Sequence, residues 1–317
     1  MRIAVLDDWQ GIAAASADWG SLGAACVFFR EGFASPAGTI AALADFEVIV
    51  AMRERTWLGA DVIPGLTKLR LLSFTGPRNA AVDLPACAAR GITVCNTVSK
   101  GSGSDTPELA LALLLAAARR IPLGDAQMRA GRFQHNVPPG IGLDGRTLGI
   151  IGLGRIGARM AGYAKALGMR VLAWSPNLTA ERAAECGAML VSKAALLARS
   201  DAVTLHLVLS QRSRNTLVAA DLALMKPGAI LVNTSRGPLI EENALVAAVR
   251  SGRIVAALDV FDEEPLAADH PLRSLPNTVL SPHMGYVTQD NMRGFYEQSV
   301  ENIEAWMQGS PIRVVNA

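Results

Sequence analysis

Apolar and polar positions along the chain alternate in two registers. Short runs rich in Val, Ile and Leu (RIAVLD, ACVFF, FEVIVAM, LRLLSF, ITVCN) are separated by alanine-rich stretches of helical period. This pattern predicts parallel strands covered by helices on both faces. The glycine- and serine-rich stretch SKGSGSD (99–105) breaks the pattern and is expected to be a hinge. A helix is expected from Pro107, with Thr106 or Asp105 as its cap. Its sequence, ELALALLLAAA, is apolar enough to predict burial on nearly all sides, at a domain or dimer interface. After a loop carrying VPPGIG, a second strand series follows: RTLGIIG, RVLAWS, AVTLHLV, GAILVN, RIVAALDV and TVLSP. The amphipathic stretch 289–308 leads to no further strands and is expected to pack back on the first domain. The predicted fold class is therefore α/β, with two doubly wound parallel-sheet domains. Residues 102–286 form one, and 1–101 with 287–317 form the other, which is discontinuous.

Composition narrows the range of partners. The chain has 317 residues, half of them hydrophobic, and a net charge of +2 spread without a basic block. That is enough chain for two cores, and it gives no sign of a nucleic-acid partner. The N-terminal MRIAVLDDWQ reads as neither a signal nor a transit peptide, and LALALLLAAA (109–118) falls short of the roughly 20 residues that span a bilayer. The expectation is a cytoplasmic protein without a membrane partner. Cysteines 26, 87, 95 and 186 form no CxxC pair and have no histidine at zinc-ligand spacing, so neither a disulfide framework nor a metal site is expected.

Candidate chemistry begins at TLGIIGLGRIG, where Gly152, Gly154 and Gly157 form a GxGxxG between a strand and a helix. Such glycines allow a tight turn, close approach to a pyrophosphate and tight helix packing, while the helix N-terminus meets the phosphate charge. About 20 residues on, an NAD site usually has an acid for the ribose hydroxyls. Here the strand ends in Ser175, with no adjacent arginine for a 2′-phosphate, so both NAD and NADP remain open. Ser175, His206, Thr234, Ser235, Arg236, Asp259 and His283 all fall at or just past the ends of apolar strands, the edge where open parallel sheets bind ligands. Arg53, Thr75 and Gly76 end strands of the first series in the same way. In NTSRGPLIEE the planar fork of Arg236 suits capture of a carboxylate. In ALDVFDEEP, Asp262 and Glu263 read as a solvated loop, whereas Asp259 directly follows an apolar run and Glu264 is held by Pro265.

Four motifs, GLGRIG, NTSRG, LDVF…EP and SPHMG, occur in this order at family-like spacing, and with them nearly the whole chain resembles the D-isomer-specific 2-hydroxyacid dehydrogenase family. The resemblance implies a Rossmann NAD(P)-binding domain inserted into a flavodoxin-like substrate domain. It also implies hydride transfer between NAD(P)H and a small 2-keto acid, or its D-2-hydroxy acid, with Arg236, Glu264 and His283 as the catalytic trio. Arg236 would bind the substrate carboxylate, His283 would act as acid or base, Glu264 would orient it, and Asp259 would meet the nicotinamide carboxamide. The implied cofactor contacts are Gly152, Gly154, Arg155, Ile156, Gly157, Ser175, His206, Thr234, Ser235, Arg236, Asp259, His283 and Gly285. Arg53, Thr75 and Gly76 fall where the family has substrate loops, with Arg55 as the alternative to Arg53.

Glu264 argues against the formate dehydrogenase branch, which pairs its histidine with glutamine. Ser175, Met284 and Tyr286 depart from the family's commonest forms. His135 and His270 read as surface residues, and His206 as either a cofactor contact or a core histidine. A homodimer is expected through the apolar helix. The competing reading is a non-catalytic dinucleotide sensor of corepressor type.

Overall fold

The computed structural model describes residues 1–98 and 103–316, so residues 99–102 of the expected hinge lie outside the described residues. The chain divides into two compact units, Met1–Gly101 with Val287–Ala317, and Ser102–Tyr286.

The first unit is built on five parallel strands: β1 (Arg2–Val5), β2 (Ala25–Phe28), β3 (Val48–Ala51), β4 (Leu71–Phe74) and β5 (Thr93–Asn96), in the order β2-β1-β3-β4-β5. Strands β3 and β4 are buried at every position, as expected of strands covered on both faces. Leu6, Leu43, Phe46, Ile49, Leu58, Ile63 and Leu72 belong to one buried cluster. The C-terminal helix Gln289–Met307 belongs to this unit and is tied to the sheet by polar side chains. The buried Asn302 amide donates to Ser73 Oγ (3.1 Å) and to the Asn96 carbonyl (2.9 Å).

The second unit has seven parallel strands: β6 (Thr147–Ile151), β7 (Arg170–Trp174), β8 (Met189–Leu190), β9 (Ala202–Leu205), β10 (Ala229–Asn233), β11 (Ile254–Leu258) and β12 (Thr278–Leu280). Their order is β12-β11-β10-β9-β6-β7-β8, so the first strand of the unit lies between its second and fourth. Along β10, Ile230 and Val232 join one core cluster while Ala229 and Leu231 join the other, the two-residue alternation of a strand between two apolar layers. No helix among the described residues is long and apolar enough to cross a membrane.

Three local expectations are corrected. The helix expected from Pro107 spans Asp105–Ala118 with Ser104 as N-cap, which places Pro107 within the first turn. Within the single chain its buried residues are Pro107, Ala110, Leu113, Leu114, Ala117 and Ala118, while Glu108 and Ala112 are exposed. An almost wholly apolar sequence still presents one stripe to its own sheet. His135 is exposed as expected, but His270 is not a free surface residue. Its Nδ1 accepts from the Leu272 amide (3.3 Å), and its Nε2 lies 3.3 Å from Glu242.

Candidate active site

The GxGxxG turn lies where β6 meets β9, the point at which strand order reverses. Gly152 has φ +97°, and a Cβ there would come within 2.7 Å of the His206 carbonyl group. A Cβ on Gly157 would lie 2.2 Å from the Gly152 oxygen, so both glycines are required for the turn to close on its helix. Gly154 caps the helix Arg155–Ala166 and has open space at its Cβ position. Among the described residues no side chain caps this helix, and its first N–H groups are those that meet an anion in such folds. Ile156 is half-buried and Arg155 exposed, with the Arg155 guanidinium beside Gly103.

Further along this edge, Ser175 follows β7 and is half-buried. His206 follows β9, and its amide donates to the Ile151 carbonyl at 2.8 Å. Its Nε2 pairs with Thr204 Oγ1 at 2.9 Å, burial pushes its pKa down to about 3, and the ring is therefore neutral. Among the described residues, the buried His206 Nδ1 and Thr234 Oγ1 find no hydrogen-bond partner. Buried polar atoms are rarely left unpaired, so these two, with the glycine cradle, fit a polar ligand lying along the edge. A dinucleotide suits that shape. The Ser235 hydroxyl donates to the Leu205 carbonyl (2.9 Å) and joins the ends of β9 and β10, which fixes this half-buried residue on the same edge.

Arg236, Glu264 and His283 come from three different loops, and the structure brings those loops together. Asn233, which the sequence reading passed over, accepts from the Ser235 amide (3.0 Å) and donates to the Arg236 carbonyl (2.9 Å), shaping the turn that presents Arg236. The Arg236 Nη1 donates to the Ser235 carbonyl at 2.7 Å. A Cβ on Gly237 would fall 2.1 Å from the Phe261 carbonyl carbon, so the glycine lets this turn press against the loop that carries Glu264. Glu264 accepts from the Phe261 amide through Oε1 (3.0 Å), and its Oε2 lies 2.6 Å from His283 Nδ1. The Tyr286 ring stands edge-on to the imidazole, centroids 5.9 Å apart.

His283 has φ +57°, a left-handed conformation uncommon for a non-glycine residue. Asp259 braces the turn that carries it. Fully buried, Asp259 accepts from Ser281 Oγ (2.5 Å), the Met284 amide (2.7 Å) and the Gly285 amide (2.9 Å), gripping the turn on both sides of the histidine. Burial raises the Asp259 pKa, while these donors and the His283 charge pull it back. Thr106 Oγ1 holds the Gly285 carbonyl at 2.8 Å from the other side.

Known proteins match both this seven-stranded unit and most of the whole chain. The model of the D-isomer-specific 2-hydroxyacid dehydrogenase NAD-binding domain matches residues 111–285. The chain belongs to the D-isomer-specific 2-hydroxyacid dehydrogenase family. It is 37% identical over 269 residues to a D-3-phosphoglycerate dehydrogenase of Archaeoglobus fulgidus, covering 84% of this chain and 51% of that protein. It is 38% identical over 265 residues to a glyoxylate reductase of Thermococcus litoralis, covering 81% and 80%. Among solved structures, a phosphoglycerate oxidoreductase from Vibrio cholerae superposes with a TM-score of 0.92 at 34% identity, covering 98% of this chain and 99% of that one. The chain spans about half the length of the phosphoglycerate dehydrogenases it matches. None of these relatives is a corepressor, and the sensor reading gains no support from them.

The edge of the first unit gathers its own candidates. The Arg53 amide donates to Thr75 Oγ1 (3.0 Å), and its carbonyl accepts from Asn79 Nδ2 (2.5 Å). A Cβ on Gly76 would lie 1.8 Å from Arg53 Nη1, so the guanidinium rests directly against the glycine, whose amide donates to Thr97 Oγ1 at 2.9 Å. Arg53, Thr75 and Gly76 thus form one cluster. The Arg55 charge acts on Asp7, holding its carboxyl below where burial alone would put it.

Proposed function

We propose that this family member is an NAD(P)-dependent reductase of a small 2-keto acid, running in reverse as a D-2-hydroxyacid dehydrogenase. The observation that carries the reading is the 2.6 Å contact between His283 Nδ1 and Glu264 Oε2, beside a turn that presents Arg236. When bound, the reduced nicotinamide would supply the hydride. Charge then develops on the keto oxygen, and His283 neutralises it by donating the proton from Nε2, the nitrogen not committed to Glu264. The Glu264 carboxylate orients the ring and leaves Nε2 as the nitrogen that faces the reacting oxygen. Arg236 takes the substrate carboxylate in a bidentate pair, which fixes the keto carbon for attack. Thr75, Gly76 and Arg53 are the further substrate contacts in this reading. The cofactor is assigned to the cradle Gly152–Gly157, with Arg155, Ile156, Ser175, His206, Thr234, Ser235, Asp259 and Gly285 along the same edge.

The active form in this proposal is a cytoplasmic homodimer. Ile121, Met128 and Phe133 are 57%, 59% and 74% exposed, next to the half-covered helix Asp105–Ala118, and a second copy would cover them. Four free cysteines suit a reducing compartment.

The test is oxidation of NADH and of NADPH with glyoxylate, hydroxypyruvate, pyruvate and bulkier 2-keto acids. Turnover of at least one small keto acid is expected. Tight cofactor binding with no turnover across the panel would overturn the reading.

A further inference from the structure

The first turn of the helix Asp105–Ala118 and the turn that ends the second unit lie at opposite ends of that unit's sequence, yet one side chain joins them. Thr106 Oγ1 donates to the Gly285 carbonyl at 2.8 Å, across 179 residues. A threonine at a helix start ordinarily turns its hydroxyl to a nearby backbone group of its own helix. Here the hydroxyl reaches the turn that carries His283, and the donor is itself anchored. Two residues earlier, Ser104 Oγ accepts from Nη1 of Arg159 (2.9 Å), which lies on the helix that follows the glycine cradle.

The consequence falls on one glycine. Asp259 Oδ2 holds the Gly285 amide at 2.9 Å and Thr106 holds its carbonyl, so the peptide units on both sides of its Cα are pinned. Gly285 is buried between the two, for a Cβ there would lie 3.1 Å from Asp259 Oδ2 and 3.4 Å from Thr106 Cγ2. Glycine has the freest backbone rotation of any residue, and the bond from Thr106 fixes the peptide that leads on to Tyr286. The Tyr286 ring stands edge-on to the His283 imidazole, at 75° with centroids 5.9 Å apart, a directional contact for two aromatic rings. Glu264 holds Nδ1 of that imidazole at 2.6 Å, and Tyr286 flanks the ring.

We propose that Thr106 is a positioning residue for His283: by fixing the Gly285–Tyr286 peptide it sets the Tyr286 ring against the imidazole and so aims Nε2 at the keto oxygen. This rests on the reductase reading above and adds to it a residue from the opposite end of the second unit. Asp259 braces the turn through its amides, and Thr106 braces it through a carbonyl. A misplacement of about 1 Å at a reacting group costs about 100-fold in rate, so a partial loss of aim should be read in kcat.

Thr106→Val keeps the β-branched shape and removes the donor. With the best keto acid of the panel its kcat should fall about tenfold, while the Kd for NADH changes by less than about twofold. Thr106→Ser keeps the hydroxyl and should restore kcat to within about twofold of the parent. In a Tyr286→Leu background, Thr106→Val should lower kcat by less than about twofold further, because two residues that act through one ring do not add. The geometry is also read without turnover, from the imidazole proton resonances of His283, assigned against His283→Gln. Their ring-current shift from Tyr286 should shrink in Thr106→Val and persist in Thr106→Ser. Should Thr106→Val fold poorly, Thr106→Ala lacks the same donor and is read in its place. A chain that shows these shifts but turns over no keto acid would sink the reductase reading and leave Thr106 as the brace of His283. Parent-like kcat and resonances in Thr106→Val, an equal loss in Thr106→Ser, a fall in NADH affinity as large as the fall in kcat, or full additivity with Tyr286→Leu would overturn the proposal.

Discussion

The two sheets both end in a loop that forces a basic residue into left-handed backbone, Arg53 at φ +51° in one and His283 at φ +57° in the other, yet they hold it by different means. Around His283 the support is a carboxylate with three donors, the Ser281 hydroxyl before the strained position and the Met284 and Gly285 amides after it. Around Arg53 it is one hydroxyl, one amide side chain and a glycine that leaves room for the guanidinium. The buried acids show the same contrast. Asp259 collects three hydrogen bonds, whereas Asp7 has Thr56 and the charge of Arg55, and burial pushes Asp7 up to about 6. The number of donors aimed at a buried acid decides how much of its desolvation cost is offset. The histidine edge is therefore over-determined and the arginine edge adjustable, the division expected if one performs chemistry and the other selects substrate.

The largest expected effect lies at the over-determined edge. His283→Ala should cut kcat by about 10³-fold, within the range for loss of a positioned acid, while the Kd for NADH changes by less than about threefold. A fall in cofactor affinity as large as the fall in kcat would mean that the Asp259-held turn serves binding, and the contrast between the edges would weaken. Arg236→Lys comes next. A lysine keeps the charge but loses the fork, so kcat/KM should drop by about 100-fold, with part of the loss in kcat because the carboxylate is no longer fixed in two places. Parent-like values in both parameters would move carboxylate capture away from Arg236.

Much of this arrangement could be read from the chain. Apolar runs located eleven of the twelve strands among the described residues, and the missing one, Met189–Leu190, is two residues long, too short to leave a periodic trace. The glycine turn and the strand-end polar residues were legible because each is a local signal: a spacing, or a polar residue directly after an apolar run. What was not legible depends on partners remote in sequence. Asp7 looked like the end of an N-terminal apolar run, since nothing near it shows that Thr56 lies 2.7 Å away. Asn233 was hidden for the opposite reason. Its contacts are only two and three residues distant, but an asparagine at a strand end is so common in turns that its grip on Arg236 appears only in three dimensions. His270 was misread because Glu242 reaches it from another helix.

A third test asks whether the cost of burying Asp7 is felt by the whole chain. Its carboxyl is raised from 3.8 to about 6, so the folded state holds the proton more tightly than the unfolded one. The stability it contributes is complete below pH 3.8 and is lost as pH rises through about 6, a change of about 3 kcal/mol over that window. Asp7→Asn has no such loss. Its urea midpoint relative to the parent should therefore rise between pH 4 and pH 8, with the variant the more stable at the alkaline end. A difference that stays flat with pH would mean the buried acid is better compensated than Thr56 and Arg55 alone allow, which would bring the two edges closer together.

The smallest effect tests the adjustable edge most directly. Gly76 sits at φ +89°, and a methyl group there would have to displace the Arg53 guanidinium, whose Nη1 lies 1.8 Å from the added carbon. The guanidinium is the far end of a flexible side chain, so it can move aside, and the backbone strain of an alanine at positive φ costs about 1 kcal/mol. Gly76→Ala should lose a few degrees of melting temperature and raise KM for the keto acid about tenfold, with kcat within about threefold of the parent. Loss confined to KM would show Arg53 holding substrate without taking part in proton or hydride transfer. If kcat fell as far as it does in His283→Ala, the first unit would be as deeply involved in the chemistry as the second, and the division of labour drawn from their two ways of holding a strained residue would have to be abandoned.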